Sequence, residues 1–268
     1  MSNFAFVFPG QGSQKIGMLA ELADQNPIIE KTFSEASEVL GYDMWQLIQQ
    51  GAQEDINLTQ RTQPILLTCS VAIWRLWNQK QGAKPSQMAG HSLGEWSALV
   101  CANVIDFADG LKMVEARGKF MQQAVPVGQG AMAAIIGLDD KAILAACTEA
   151  STLGVVDAVN FNAPGQVVIA GANDAVERAM DICKAAGAKR ALPLPVSAPF
   201  HTSLMKPAAD NLAEMVNTIT FRAPEVPVMH NVHAKNEHDP QAIKALMLEQ
   251  IYSPVKWVDC VEQLKDSG

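Results

Sequence analysis

The chain has 268 residues, 49% of them apolar and 18% charged, with a formal charge of −8. That length and balance describe a globular chain with room for one large domain or a large and a small one, and exclude disorder. The acidic charge, without a long basic run, argues against nucleic acid as a partner, and five scattered cysteines with no C-x-x-C spacing argue for a reducing compartment and against a disulfide framework or a zinc site.

An apolar run over 4–8, stopped by Pro9 and Gly10 and lacking a basic flank, reads as a first strand rather than a signal peptide. The glycine loop behind it is not a dinucleotide fingerprint, because the third glycine should stand at Lys15, and it lacks the lysine pair of a P-loop. Its backbone N–H groups could instead face an anion, as an oxyanion hole requires. Helical periodicity follows over 26–39 and 62–79. Lys84-Pro85-Ser86 then reads as a turn and 87–89 as a short strand. Leu93, Trp96, Leu99 and Val100 form the apolar stripe of a helix. Between strand and helix stands Gly90-His91-Ser92-Leu93-Gly94, a G-x-S-x-G pattern in the strand–turn–helix order of a nucleophile elbow, with Ser92 as the nucleophile.

The next helix, over 109–124, places Arg117 on the same face as Met113, Val114, Phe120 and Met121. An inward guanidinium needs an anion, either a structural carboxylate or the carboxylate of a substrate. After Pro126, Gly128 and Gly130 the order becomes strand 131–138, helix 140–150, strands 155–161 and 166–171, helix 173–186 and strand 188–194. This β-α-β-β-α-β order is that of a ferredoxin-like insert. Longer elements return with a helix over 205–218, a strand over 226–232 and a helix over 240–250. The division is therefore a large α/β body over 1–126 and 198–268 and an insert over 127–197. His201, behind a proline-rich loop and before a helix that Thr202 or Ser203 would cap, is the best base for Ser92. His91 adjoins the serine at a sharp turn and reads as an elbow-supporting or substrate-lining residue. No stretch is long enough to span a bilayer, so a cytoplasmic monomer with no membrane partner is expected.

Five segments together resemble one family: Phe8-Pro9-Gly10-Gln11-Gly12-Ser13-Gln14, Gly90-His91-Ser92-Leu93-Gly94-Glu95, Asn162-Ala163-Pro164-Gly165-Gln166, Pro199-Phe200-His201 and Tyr252-Ser253-Pro254-Val255. They are similar, in order and along nearly the whole chain, to malonyl-CoA:acyl carrier protein transacylases. The resemblance implies a hydrolase-like α/β domain with a parallel sheet and a ferredoxin-like insert, and a malonyl group passed from malonyl-CoA to the phosphopantetheine thiol of acyl carrier protein in fatty acid synthesis. It implies Ser92 as nucleophile, His201 as general acid/base and Gln250 as the residue that orients the histidine. Backbone N–H groups of Gln11 and Leu93 would form the oxyanion hole, Arg117 would grip the malonyl carboxylate, and Phe200 would favour malonyl over branched groups. Neither a metal nor a cofactor is implied beyond the pantetheine that the substrates carry. The family more often has Asn and Asp where His230 and His233 stand, and it continues past a segment like Val255-Lys256-Trp257 into a glycine-rich strand and a closing helix. A plain esterase or thioesterase, and a non-catalytic malonyl-binding protein, are the competing readings. Because carrier proteins are acidic, Lys189 and Arg190 are the expected basic contact for that partner.

Overall fold

Parallel strands bring their C-terminal ends to one edge of a sheet, and that edge is where this chain gathers its functional segments. The computed structural model describes residues 4–196 and 198–266, and among these the strands are β1 (Ala5–Phe8), β2 (Gln87–Gly90), β3 (Gly130–Ile136), β4 (Val156–Ala163), β5 (Gln166–Ala172), β6 (Arg190–Pro193), β7 (Val228–His230) and β8 (Lys235–Asn236). The larger body carries the sheet β1-β2-β7-β8, with β1, β2 and β7 parallel and β8 antiparallel at the edge. Phe8 pairs with Gly90 and Ala89 with Met229, so the glycine loop, the Gly90–Gly94 turn and the segment after His230 leave the sheet side by side.

Helices cover this sheet because their apolar stripes have nowhere else to go. Helix Leu93–Cys101 is buried along its whole length, with Trp96 and Leu99 at its centre. Helix Thr59–Gln79 packs against helix Phe107–Gln123, where a Cβ on Gly118 would collide with the backbone of Thr59 and Gln60. That close approach lays Gln63 alongside Arg117.

The insert forms the antiparallel sheet β4-β5-β3-β6, with helices Asp140–Ala150 and Asn173–Ala185 between its strands. Strand order and connection are those of a ferredoxin-like unit, as the sequence pattern predicts. Strand alternation explains how it is anchored. Ala133, Ile135, Val167 and Ile169 pack under the insert's own helices. Their neighbours Met132, Val168 and Ala170 point the other way, into the main core with Phe33, Trp96 and Leu212.

The elements differ from sequence expectation mainly in length and in the short pieces. The strand expected over 188–194 is Arg190–Pro193, and the helix over 205–218 is Lys206–Val216. Helices Ala20–Gln25, Met44–Gln50, Gln53–Ile56 and Trp257–Asp266 are additional. The second of these is started by Asp43, whose side chain accepts from Gln46 N.

Candidate active site

Gly90 and Gly94 flank the turn because a side chain at either would not fit. A Cβ on Gly90 would overlap the backbone of Gly94 and Glu95, and one on Gly94 would overlap the Phe8 carbonyl. Ser92 adopts φ 51° and ψ −102°, a conformation a side chain tolerates only when its surroundings impose it. Asn231, immediately after β7, imposes it from both sides. Its Oδ1 accepts from Ser92 N at 2.7 Å and its Nδ2 donates to Gly90 O at 2.8 Å. The serine hydroxyl is thereby held out at the tip of the turn.

His201 meets that hydroxyl, with Nε2 2.8 Å from Ser92 Oγ. It stands at φ 65° behind Pro199 and is 4% exposed. Its Nδ1 lies 2.8 Å from the main-chain carbonyl of Gln250, which can only accept, so the proton sits on Nδ1 and Nε2 is free to take one from serine. The main-chain carbonyl of Gln250, the residue the resemblance names as orienting the histidine, therefore faces the imidazole. Burial, with the Arg117 charge beside it, pushes the His201 pKa down to about 3. Thr202 does not cap the following helix; its hydroxyl turns back to Pro199 O.

Arg117 is 2% exposed. Its Nη1 donates to Gln63 Oε1 at 2.8 Å, and its Nη2 to Ser92 Oγ at 3.0 Å and Gln250 Oε1 at 3.1 Å, while Nε has no partner. Among the described residues no ion pair joins it to a carboxylate. Burial lowers its pKa to about 10, with the nearby Glu95 charge opposing. Of the two anions the sequence leaves open, the structural one makes no direct contact: Glu95 acts on Arg117 only from behind Gln250, and the hydrogen-bond partners of the guanidinium are all neutral.

That cavity, about 130 Å³, is lined by Gln11 and Leu93 beside Ser92, by Gln63 and Arg117, and by the apolar Met132 and Phe200. Leu93 opens a helix, so its N–H has no partner within that helix. His91 also lines the cavity, with Nε2 2.7 Å from Asn162 Oδ1 and its ring against Trp257, and burial lowers its pKa. A wider surface hollow of about 580 Å³, bounded by Tyr42, Asp43 and Arg61, contains none of these groups, so chemistry and not size locates the site.

Three contributors were not singled out from sequence: Gln63, Asn231 and Glu95. Glu95 is completely buried and accepts from His230 Nδ1 at 2.6 Å, Gln250 Nε2 at 2.6 Å and Asn231 N at 3.1 Å. Local pattern disguises it, since Ser92-x-x-Glu95 before an apolar run reads as a capping box. The usable signal is a lone carboxylate in a helix that is otherwise apolar apart from Ser97. His230 and His233 do not line the cavity; the His230 side chain is linked to the site through Glu95.

A strained serine on a strand–helix turn, a neutral histidine within reach of it and a guanidinium with no direct carboxylate partner in the same cavity are the parts of a serine-nucleophile acyl-transfer site. The chain belongs to the acyl transferase family, whose domain model matches residues 5–268. It is 62% identical over 268 residues to the malonyl CoA-acyl carrier protein transacylase of Escherichia coli K12, covering 100% of this chain and 87% of that one. A solved acyl carrier protein S-malonyltransferase from Vibrio cholerae superposes with a TM-score of 0.98 at 61% identity, covering 100% of this chain and 87% of its own. A type II polyketide synthase acyl-carrier protein in complex with its malonyl-transacylase gives 0.98 at 59% identity, covering 100% and 86%.

Proposed function

We propose that this protein transfers a malonyl group from malonyl-CoA to the phosphopantetheine thiol of acyl carrier protein through a malonyl-serine, supplying fatty acid elongation. The observation that carries this reading is Arg117, a buried cation with neutral partners, one of which is the nucleophile itself. A malonyl carboxylate would draw the guanidinium into a charge-assisted pair and release Ser92 Oγ for attack.

In the first half-reaction His201 Nε2 takes the Ser92 proton as Oγ attacks the thioester carbonyl. The N–H groups of Gln11 and Leu93 receive the oxyanion. The carbon–sulfur bond breaks and His201 returns the proton to the coenzyme A sulfur. In the second half the pantetheine thiol gives its proton to His201 and attacks the ester, the carbon–oxygen bond breaks, and Ser92 is reprotonated. Only protons and an acyl group move, so the steps as written need no metal or redox cofactor. A main-chain carbonyl behind His201 supports the imidazolium less than a carboxylate would, which favours a good thiol nucleophile over water.

Residues 1–126 with 198–268 act as the catalytic body and 127–197 as an insert that lends Met132, Asn160, Leu194 and Val196 to the pocket wall. Phe200, 9% exposed, closes the acyl end of the pocket against branched groups. No helix among the described residues is long and apolar enough to cross a membrane, and the five cysteines are free, which supports a place in the cytoplasm. The test is transfer. Catalytic enzyme with malonyl-CoA and holo carrier protein should convert the carrier to its malonyl form by intact mass, whereas accumulation of free malonate would identify a hydrolase.

A further inference from the structure

Beneath the elbow lies a buried carboxylate that the reaction as written does not use. Glu95 is fully buried, and all three of its hydrogen-bond partners are N–H donors: His230 Nδ1, Asn231 N and Gln250 Nε2. It touches neither Ser92 Oγ nor His201. Gln250 connects it to Arg117 and His201. The Gln250 amide nitrogen donates to Glu95 Oε2 and to Ser92 O at 3.0 Å, its amide oxygen accepts from Arg117, and its main-chain carbonyl holds His201 Nδ1.

An amide can rotate by half a turn and exchange its donor for its acceptor at almost no steric cost. A carboxylate facing it forbids that exchange, because two acceptors would then oppose each other in a dry interior. We propose that Glu95 is the positioning carboxylate of this site, acting through Gln250 to hold Arg117 and His201 in register with Ser92. The acid that an ordinary Ser-His-Asp arrangement places on the imidazole is here one residue further back, and the imidazole meets a neutral carbonyl instead. His230 fixes the far oxygen of that carboxylate, so the whole row from β7 to the nucleophile is hydrogen-bonded.

This inference rests on reading the site as a malonyl transferase, and the experiment separates the two. Malonyl loading from malonyl-CoA is measured in the wild type, Glu95→Gln, Gln250→Ala and the double variant. Glu95→Gln keeps the shape and removes the charge. It should lower kcat by roughly tenfold or more with little change in KM when Gln250 is present, and by less than about threefold when Gln250 is Ala, the coupling expected within one hydrogen-bond network. An equal loss in both backgrounds, or none in either, would overturn the proposal. Should Glu95→Gln not fold, Glu95→Asp, which keeps the charge but withdraws it by one methylene, is read in the same cycle with the same two outcomes. A wild type that loads no malonyl would instead refute the transferase reading.

Discussion

Arg117 Nη2 lies 3.0 Å from Ser92 Oγ, so the cation and the base His201, at 2.8 Å, share one hydroxyl. On the proposed reading, substrate recognition and nucleophile activation therefore meet at one oxygen. If the malonyl carboxylate is the missing partner of Arg117, Arg117→Ala should reduce kcat/KM for malonyl-CoA by about 30- to 1000-fold. Acetyl-CoA, which has no carboxylate to place, should be affected far less. Parallel kinetics with the two thioesters check this, and equal losses would assign Arg117 a structural role.

The pH dependence follows from His201. Its folded pKa is depressed to about 3, so the imidazole stays neutral and competent as a base well below the ordinary histidine range. The acid limb of kcat/KM for malonyl loading should therefore fall far below pH 6.5. Because the Arg117 charge is one cause of the depression, Arg117→Ala should move the acid limb of acetyl transfer upward. The same shift costs nothing above about pH 6.5, where the imidazole is neutral folded and unfolded, and lowers stability increasingly as pH falls from there towards 3, because the unfolded chain binds a proton that the folded one refuses. Acid titration of urea midpoints for the wild type and His201→Ala would show the difference.

Gly94 is a packing requirement, since any side chain there would enter the Phe8 carbonyl. Gly94→Ala should lower unfolding free energy by at least ~2 kcal/mol through overpacking, with partial or complete loss of soluble protein. A chemical-denaturation midpoint equal to the wild type would show that the elbow can relax.

The elbow, the insert and the serine–histidine pair were legible because each has a local signature: a strand–turn–helix order, a β-α-β-β-α-β order, and a histidine after a proline-rich loop. Glu95 was not, because its donors arrive from residues 230, 231 and 250 and no local period encodes them. Asn231 is in the same position. Gln250 shows a different limit: its contact with His201 is made by the main chain, which every residue possesses, so side-chain identity carries only half of its role. Helices Met44–Gln50 and Gln53–Ile56 are too short to display a period, whereas Trp257, Cys260, Val261 and Leu264 do repeat at three and four and make helix Trp257–Asp266 readable.

We propose that carrier-protein docking falls on Lys189 and Arg190. Both are exposed, and from Arg190 the chain runs through β6 to Leu194 and Val196 in the cavity wall. Reversing both to Glu should raise KM for the acidic carrier several-fold and leave malonyl-CoA loading unchanged, and the wild-type carrier step should weaken with salt. Carrier kinetics indifferent to the reversal would place the contact elsewhere.

A malonyl-enzyme bound at Ser92 decides between transferase, hydrolase and binder. Stoichiometric malonyl-CoA added to the protein, followed by intact mass and peptide mapping, should give one malonyl group on the peptide containing Ser92. The adduct should persist in buffer, discharge on adding holo carrier protein and be absent in Ser92→Ala. An unchanged mass, or a malonyl group mapped to another residue, would contradict it.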